Sequence, residues 1–190
     1  MRIIAGSRRG QRLHTGRAAG FRPTSDRVRE AIFSILGDEL VGKRVLDLYA
    51  GSGALGFEAL SRGAVEALFV EKSRTIASWI ERNGRALRFE GSYAVRRRPA
   101  LAFLESEPEE AARFDLVFAD PPYGIGLVRP TVEGLLALPG ERLLVLEREK
   151  REETVPGLPE RREAARYGDT VIEFLLLGGG AGRGMKEERA

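Results

Sequence analysis

The chain has 190 residues, 43% hydrophobic and 31% charged, which suits a single soluble domain with a core of its own. It has no cysteine and one histidine, His14, which excludes disulfides, thiolate zinc sites and any multi-histidine metal centre. The net charge of +3 is uneven: residues 1–30 hold eight arginines against Asp26 and Glu30, so the other 160 residues sum to −3.

A basic segment on a mildly acidic body points to a polyanion partner, and arginine suits phosphate and base stacking. No apolar run, Val171 to Leu177 included, is long enough to span a bilayer. Met1 to Gly10 shows no apolar stretch followed by a cleavage site, so a cytoplasmic protein without membrane attachment is expected.

Residues 1–22 read as a β-type arm with turns, Ile3-Ile4 being followed by Gly6, Gly10, Gly16 and Gly20. Pro23, Thr24, Ser25 and Asp26 then start a helix over 25–36, with Val28, Ala31, Ile32, Ile35 and Leu36 on one face and Gly37 as its stop. From residue 44 strands alternate with helices. Strands are predicted at Arg44–Tyr49, Ala67–Glu71, Tyr93–Arg97, Phe114–Asp120 and Arg142–Glu147, and helices at 54–62, 73–88, 99–112 and 126–138. Glu163–Tyr167 and Thr170–Leu177, joined by Gly168-Asp169, read as an antiparallel hairpin. The expected fold is α/β and doubly wound, five parallel strands closed by the hairpin to make seven. Its parts are a basic arm at 1–24, a body at 25–177 and a loose tail at 178–190.

Asp47-Leu-Tyr-Ala-Gly51-Ser-Gly53-Ala-Leu-Gly56 runs off the first strand into a helix. Glycines permit a tight turn and close approach of a ligand to backbone. Glu71, at the end of the next strand, can accept both hydroxyls of a ribose. On the glycine spacing alone NAD and S-adenosylmethionine fit equally. Asp47 favours the second, since a carboxylate there suits an ammonium group and sits poorly beside a pyrophosphate; a turn-stabilising role also fits it. Gly37 to Lys43 has phosphate-loop spacing, but Arg44 replaces the Ser or Thr and a strand follows. Ser52 lacks a nucleophile-elbow context, because Ala50 breaks the pattern.

The most specific feature is Phe114-Asp-Leu-Val-Phe-Ala-Asp120-Pro121-Pro122-Tyr123. The prolines stiffen the loop and remove two donors. Asp120 and the Pro121 carbonyl can each accept a hydrogen bond from an exocyclic amino group, aiming its lone pair at an electrophile. Tyr123 offers a flat face for a base taken out of its stack. A strand-ending turn with a surface aromatic is the plainer alternative.

Asp47–Gly56 with Asp120–Tyr123 resembles the class I S-adenosylmethionine-dependent methyltransferases of amino nitrogens. Met1-Arg-Ile-Ile-Ala-Gly, Arg22-Pro-Thr-Ser-Asp-Arg-Val-Arg-Glu30 and Gly51 to Gly63 narrow the likeness to the RsmD family, over roughly residues 1–177. The resemblance implies a Rossmann-like methyltransferase fold and methyl transfer from S-adenosylmethionine, without metal, leaving S-adenosylhomocysteine. The implied target is N2 of a guanine in 16S rRNA, within an assembled or assembling small subunit, flipped into a site of Asp120, Pro121 and Tyr123. Asp47, Gly51, Gly53 and Glu71 are then the donor-binding set, and a monomer is expected. One departure stands out: Arg96-Arg-Arg-Pro99 puts Pro99 where an acid or amide usually meets the adenine, so no side chain is assigned to that contact.

Arg8, Arg9, Arg12, Arg17 and Arg22 are expected on RNA phosphates, with Arg27 and Arg29 joining them from the first helix, where they either help gate the cofactor site or form the helix's solvated face. Trp79 and Phe57 are expected in the core. Three other functions remain on the residues alone. A DNA amino-methyltransferase would need a target-recognition domain for which there is no room. An NAD-dependent oxidoreductase leaves Asp120–Tyr123 without a role. An RNA-binding assembly factor would bind without turnover.

Overall fold

The computed structural model describes residues 1–16, 25–152 and 161–178. Within them lie strands β1 Arg44–Leu48, β2 Glu66–Val70, β3 Tyr93–Arg96, β4 Leu116–Ala119, β5 Arg142–Glu149, β6 Arg161–Tyr167 and β7 Thr170–Leu177. They join in one sheet of order β3-β2-β1-β4-β5-β7-β6. Only β7 runs against the others, pairing antiparallel with β5 and β6. This is the Rossmann-like, mostly parallel seven-stranded sheet expected.

Its strands read as unbroken apolar runs because both faces are covered. In β4, Leu116 and Phe118 enter a cluster with Phe33, Phe57 and Ile80, while Val117 and Ala119 enter one with Phe103, Val132 and Leu135. The first cluster takes residues from α1 Asp26–Leu36, α2 Ala54–Ser61 and α3 Arg74–Ala86; the second from α4 Ala100–Ser106, α5 Pro108–Ala111 and α6 Val128–Leu136. Trp79 and Phe57 are buried, as expected.

Local chemistry sets the helix ends. Ser25 caps α1 by accepting from the Val28 amide at 3.2 Å, and Gly37 stops it at a φ of 49°. The single helix read over 99–112 is two. Pro108 has no amide hydrogen to give, and Glu107 before it leaves the helical region at φ −131° and ψ 49°.

The described part of the basic arm is a docked hairpin. The Ile3 amide donates to the Gln11 carbonyl at 2.9 Å, Arg2 bridges to Arg12, and Ile3 and Leu13 are buried in the first cluster. The remainder of that arm, with Arg17 and Arg22, lies outside the described residues, as does the tail after Gly178. The strand order reverses direction between β1 and β4, and such a switch point opens a crevice at the carboxyl ends of those strands.

Candidate active site

β1 ends in a sharp bend. Tyr49 adopts the left-handed region at φ 62°, and its hydroxyl lies 2.6 Å from that of Thr131 in α6. Gly51 and Gly53 follow at φ 54° and 79°, conformations open to glycine without steric cost. Gly56 has a different role. A methyl group there would stand 2.3 Å from the Phe69 ring, so this glycine lets α2 lie against the sheet. Three of the turn's amides are already engaged: Gly51 donates to Glu71 at 3.1 Å, Gly53 to the Ala50 carbonyl at 2.8 Å, and Gly56 to Asp47 at 3.0 Å. A pyrophosphate would have to compete for them.

What the turn offers instead is negative charge. Asp47 is 2% exposed, and burial pushes its carboxyl well above the ordinary value of 3.8. The Gly56 amide opposes that rise, while Asp120 and Glu71 add to it by repulsion. Glu71 is fixed by the Gly51 amide on one oxygen and the Ser73 amide, at 2.7 Å, on the other. A carboxyl at Asp47 repelled by both Asp120 and Glu71 makes an acidic site that fits a ligand carrying cationic groups.

The same repulsion makes a prediction. Asp47→Asn keeps an acceptor for Gly56 but removes the buried charge, so the ligand-free protein should melt higher at neutral pH and bind a cationic ligand less well. A carboxyl whose folded pKa is raised loses stability as pH climbs from 3.8 through the folded value. The melting gap between variant and wild type should therefore open across that window and close below it. Thermal melts at a series of pH values check this, and a constant gap would contradict it.

Asp120, Pro121 and Tyr123 follow β4, whose Ala119 pairs with Leu48 of β1. The acidic corner and the glycine bend therefore leave adjacent parallel strands at the same end of the sheet. Asp120 is half-buried, Pro121 buried and Pro122 exposed. Tyr123 is half-buried, and its hydroxyl donates to Glu147 at 3.0 Å and lies 3.0 Å from Thr170. Burial raises its phenol pKa; the Thr170 bond opposes this, and Glu147 and Asp120 reinforce it.

The arginines assigned to RNA divide sharply. Arg9, Arg12 and Arg27 are exposed. Arg8 instead docks the hairpin, its Nε donating to the Leu87 carbonyl at 2.6 Å and its guanidinium lying 5.2 Å from the centre of the Phe89 ring. Arg29 is a correction. It is 0% exposed, donates to the Arg2 carbonyl at 2.9 Å and to Asp26 at 2.8 Å, and cannot reach a phosphate. Arg29 lies three, four and seven residues before the buried Ile32, Phe33 and Leu36, so it stands on the inward face of α1, where the hairpin backbone meets it. Arg96, Arg97 and Arg98 are each paired with an acid among Glu81, Glu107 and Glu110, which suits a solvated strand end. Pro99 is the residue that leads into α4.

Among the buried polar residues that escaped the sequence reading, Glu58 and Asn83 hold the hairpin. Glu58 of α2 accepts from the amides of Ile4 at 2.7 Å and Ala5 at 3.0 Å. Asn83 of α3 donates to the carbonyls of Ser52 and His14, both at 3.1 Å, and accepts from the His14 amide at 2.7 Å. It thereby ties the glycine turn to the hairpin. Each is a polar residue inside an apolar helical stripe, which is the signal that could have found it. Beside the hairpin opens a cleft of about 900 Å³ lined by Arg2, Arg12, His14, Asp26, Arg82 and Asn83; Asp47, Glu71 and Asp120 do not line it.

A family model described as conserved hypothetical protein 95 matches residues 1–176. The ribosomal RNA small subunit methyltransferase D of Haemophilus influenzae is 40% identical over 133 residues, covering 70% of this chain and 68% of that protein. Its Escherichia coli namesake is 39% identical over 132 residues, covering 70% and 65%. A solved structure of a methyltransferase candidate from Escherichia coli, YhhF, superposes with a TM-score of 0.80 at 32% identity, covering 95% of this chain and 99% of that one.

Proposed function

Because the chain belongs to the conserved hypothetical protein 95 family, the RsmD family, we propose that it methylates the exocyclic N2 amino group of a guanine in 16S rRNA, with S-adenosylmethionine as donor. The observation that carries this reading is the adjacency of two loops. The acidic corner after β4 and the glycine bend after β1 leave adjacent parallel strands at the same end of the sheet, in register at Leu48 and Ala119. The engaged turn amides and the cluster of carboxylates favour a sulfonium cofactor over a dinucleotide.

In this reading Asp47, Gly51, Gly53 and Glu71 hold the donor: Glu71 with its remaining lone pairs towards the ribose, Asp47 with its charge towards the amino acid end. When bound, S-adenosylmethionine supplies an activated methyl group on a positively charged sulfur. Asp120 and the Pro121 carbonyl accept the N2 hydrogens and turn the nitrogen lone pair out of conjugation. Tyr123 stacks on the flipped guanine. Arg9, Arg12 and Arg27 meet RNA phosphates, Arg9 and Arg12 from the docked hairpin and Arg27 from α1. The protein acts as a cytoplasmic monomer on the assembled or assembling small subunit and needs no metal.

Labelled-methyl transfer to unmodified small subunits, free 16S rRNA and DNA tests the reading. Label is expected in the rRNA, on N2 of one guanine. Label in DNA alone would transfer the chemistry to a DNA enzyme, and tight RNA binding without label would leave an assembly factor.

A further inference from the structure

The aromatic ring of the catalytic corner is held from behind. The Tyr123 hydroxyl donates to Glu147 Oε1 at 3.0 Å and sits 3.0 Å from Thr170 Oγ1. Glu147 stands near the carboxyl end of β5 and Thr170 opens β7, so the two groups come from neighbouring antiparallel strands. The turn just after β5 grips the loop a second time, the Gly124 amide donating to Glu152 at 3.3 Å. The end of β5 is itself locked: Arg148 of β5 donates to both carboxylate oxygens of Glu173 in β7, at 2.8 and 3.1 Å, with both residues buried.

A hydroxyl turned inward between two fixed partners does not serve as the stacking face. Stacking needs only the ring, which phenylalanine would supply equally. The hydroxyl therefore has a separate task, and so has the hairpin that meets it. We propose that Glu147 and Thr170 are positioning residues, which clamp the Tyr123 hydroxyl so that β5 and the C-terminal hairpin together set the plane on which the target base stacks. The inference rests on the methyltransferase reading above. Its physical content is preorganisation: a flat surface fixed before the base arrives spends no ordering entropy at the moment of transfer, whereas a misplacement of about 1 Å can lower the rate on the order of a hundredfold.

Thr170 is the cleaner probe, being half-buried at a strand start. Labelled-methyl transfer to unmodified small subunits would be measured for wild type, Thr170→Val, Tyr123→Phe, the double variant and Thr170→Ser, with calorimetric S-adenosylmethionine binding alongside. Thr170→Val and Tyr123→Phe should each lower kcat by about tenfold, within the range that misplacement allows, and leave donor affinity unchanged. The double variant should be no slower than Tyr123→Phe alone, because that change already removes the bond to Thr170. Thr170→Ser should restore the rate. Multiplying effects in the double variant would overturn the clamp, and so would a wild-type rate in Thr170→Val. Should Thr170→Val fold poorly, Tyr123→Phe tests the same hydroxyl without touching the strand, and a wild-type kcat there would also overturn it. Absence of transfer by the wild-type protein is a different result, which removes the methyltransferase reading and the clamp with it.

Discussion

Asp120→Ala should leave S-adenosylmethionine affinity within a few-fold of wild type while lowering methyl transfer by about two to three orders of magnitude, the scale seen when one preorganised polar group is removed from a reacting centre. The amino nitrogen of guanine shares its lone pair with the ring, so it becomes nucleophilic only when acceptors draw its hydrogens out of the base plane. Asp120 is placed for that work at the end of β4, half-buried and close enough to Asp47 to raise its pKa. Removing it eases that repulsion, so the donor pocket should survive and the ligand-free protein should not become less stable on this account. Asp120→Asn keeps one oxygen acceptor and should fall between wild type and alanine. Single-turnover rates with calorimetric donor binding separate the two effects. Near-normal turnover in the alanine variant would remove Asp120 from the reaction.

The parts of this molecule that were legible in the sequence are those set by local pattern and by topology. Short apolar runs separated by helical ones imply a parallel sheet, and such sheets place ligands where the strand order reverses. Asp47 to Gly56 and Asp120 to Tyr123 each end a strand, so their meeting needed only that strand order. What stayed hidden depends on contacts between distant segments. Arg29 shares the inward face of α1, yet its charge suggests a phosphate ligand until the hairpin backbone meets it. Arg8 looks like a phosphate ligand until Leu87 and Phe89 appear beneath it. Asp47 was read as facing a ligand, yet one of its oxygens holds Gly56, so the turn-stabilising role and a donor-binding role can belong to one side chain. The link from Tyr123 to Thr170 spans 47 residues and carries no local signal.

Glu58→Ala should be the most damaging single change away from the reacting centre. Glu58 is 0% exposed in α2, two residues past the close-packed Gly56. Besides the Ile4 and Ala5 amides it accepts from Arg62 Nε at 2.7 Å and lies 3.9 Å from Arg29 Nη1. Removing one member of a buried ionic cluster strands the others, at roughly 3–5 kcal/mol. Here it would leave the Arg29 guanidinium with less compensation and two backbone amides without acceptors. Chemical denaturation should show that loss, with Glu58→Gln intermediate, because an amide oxygen still accepts. The damage should be directional. Hydrogen exchange should speed first at Ile4 and Ala5, as the hairpin lifts, and RNA affinity should fall more than donor affinity, since Arg9 and Arg12 ride on the hairpin while Asp47 and Glu71 do not. Replacing both charges together, as Glu58→Leu with Arg29→Met, should recover much of the stability, because the penalty lies in the unpaired charge. A wild-type denaturation midpoint in Glu58→Ala would mean that the hairpin is held by its apolar contacts, Ile3 and Leu13, and that the buried acid contributes little.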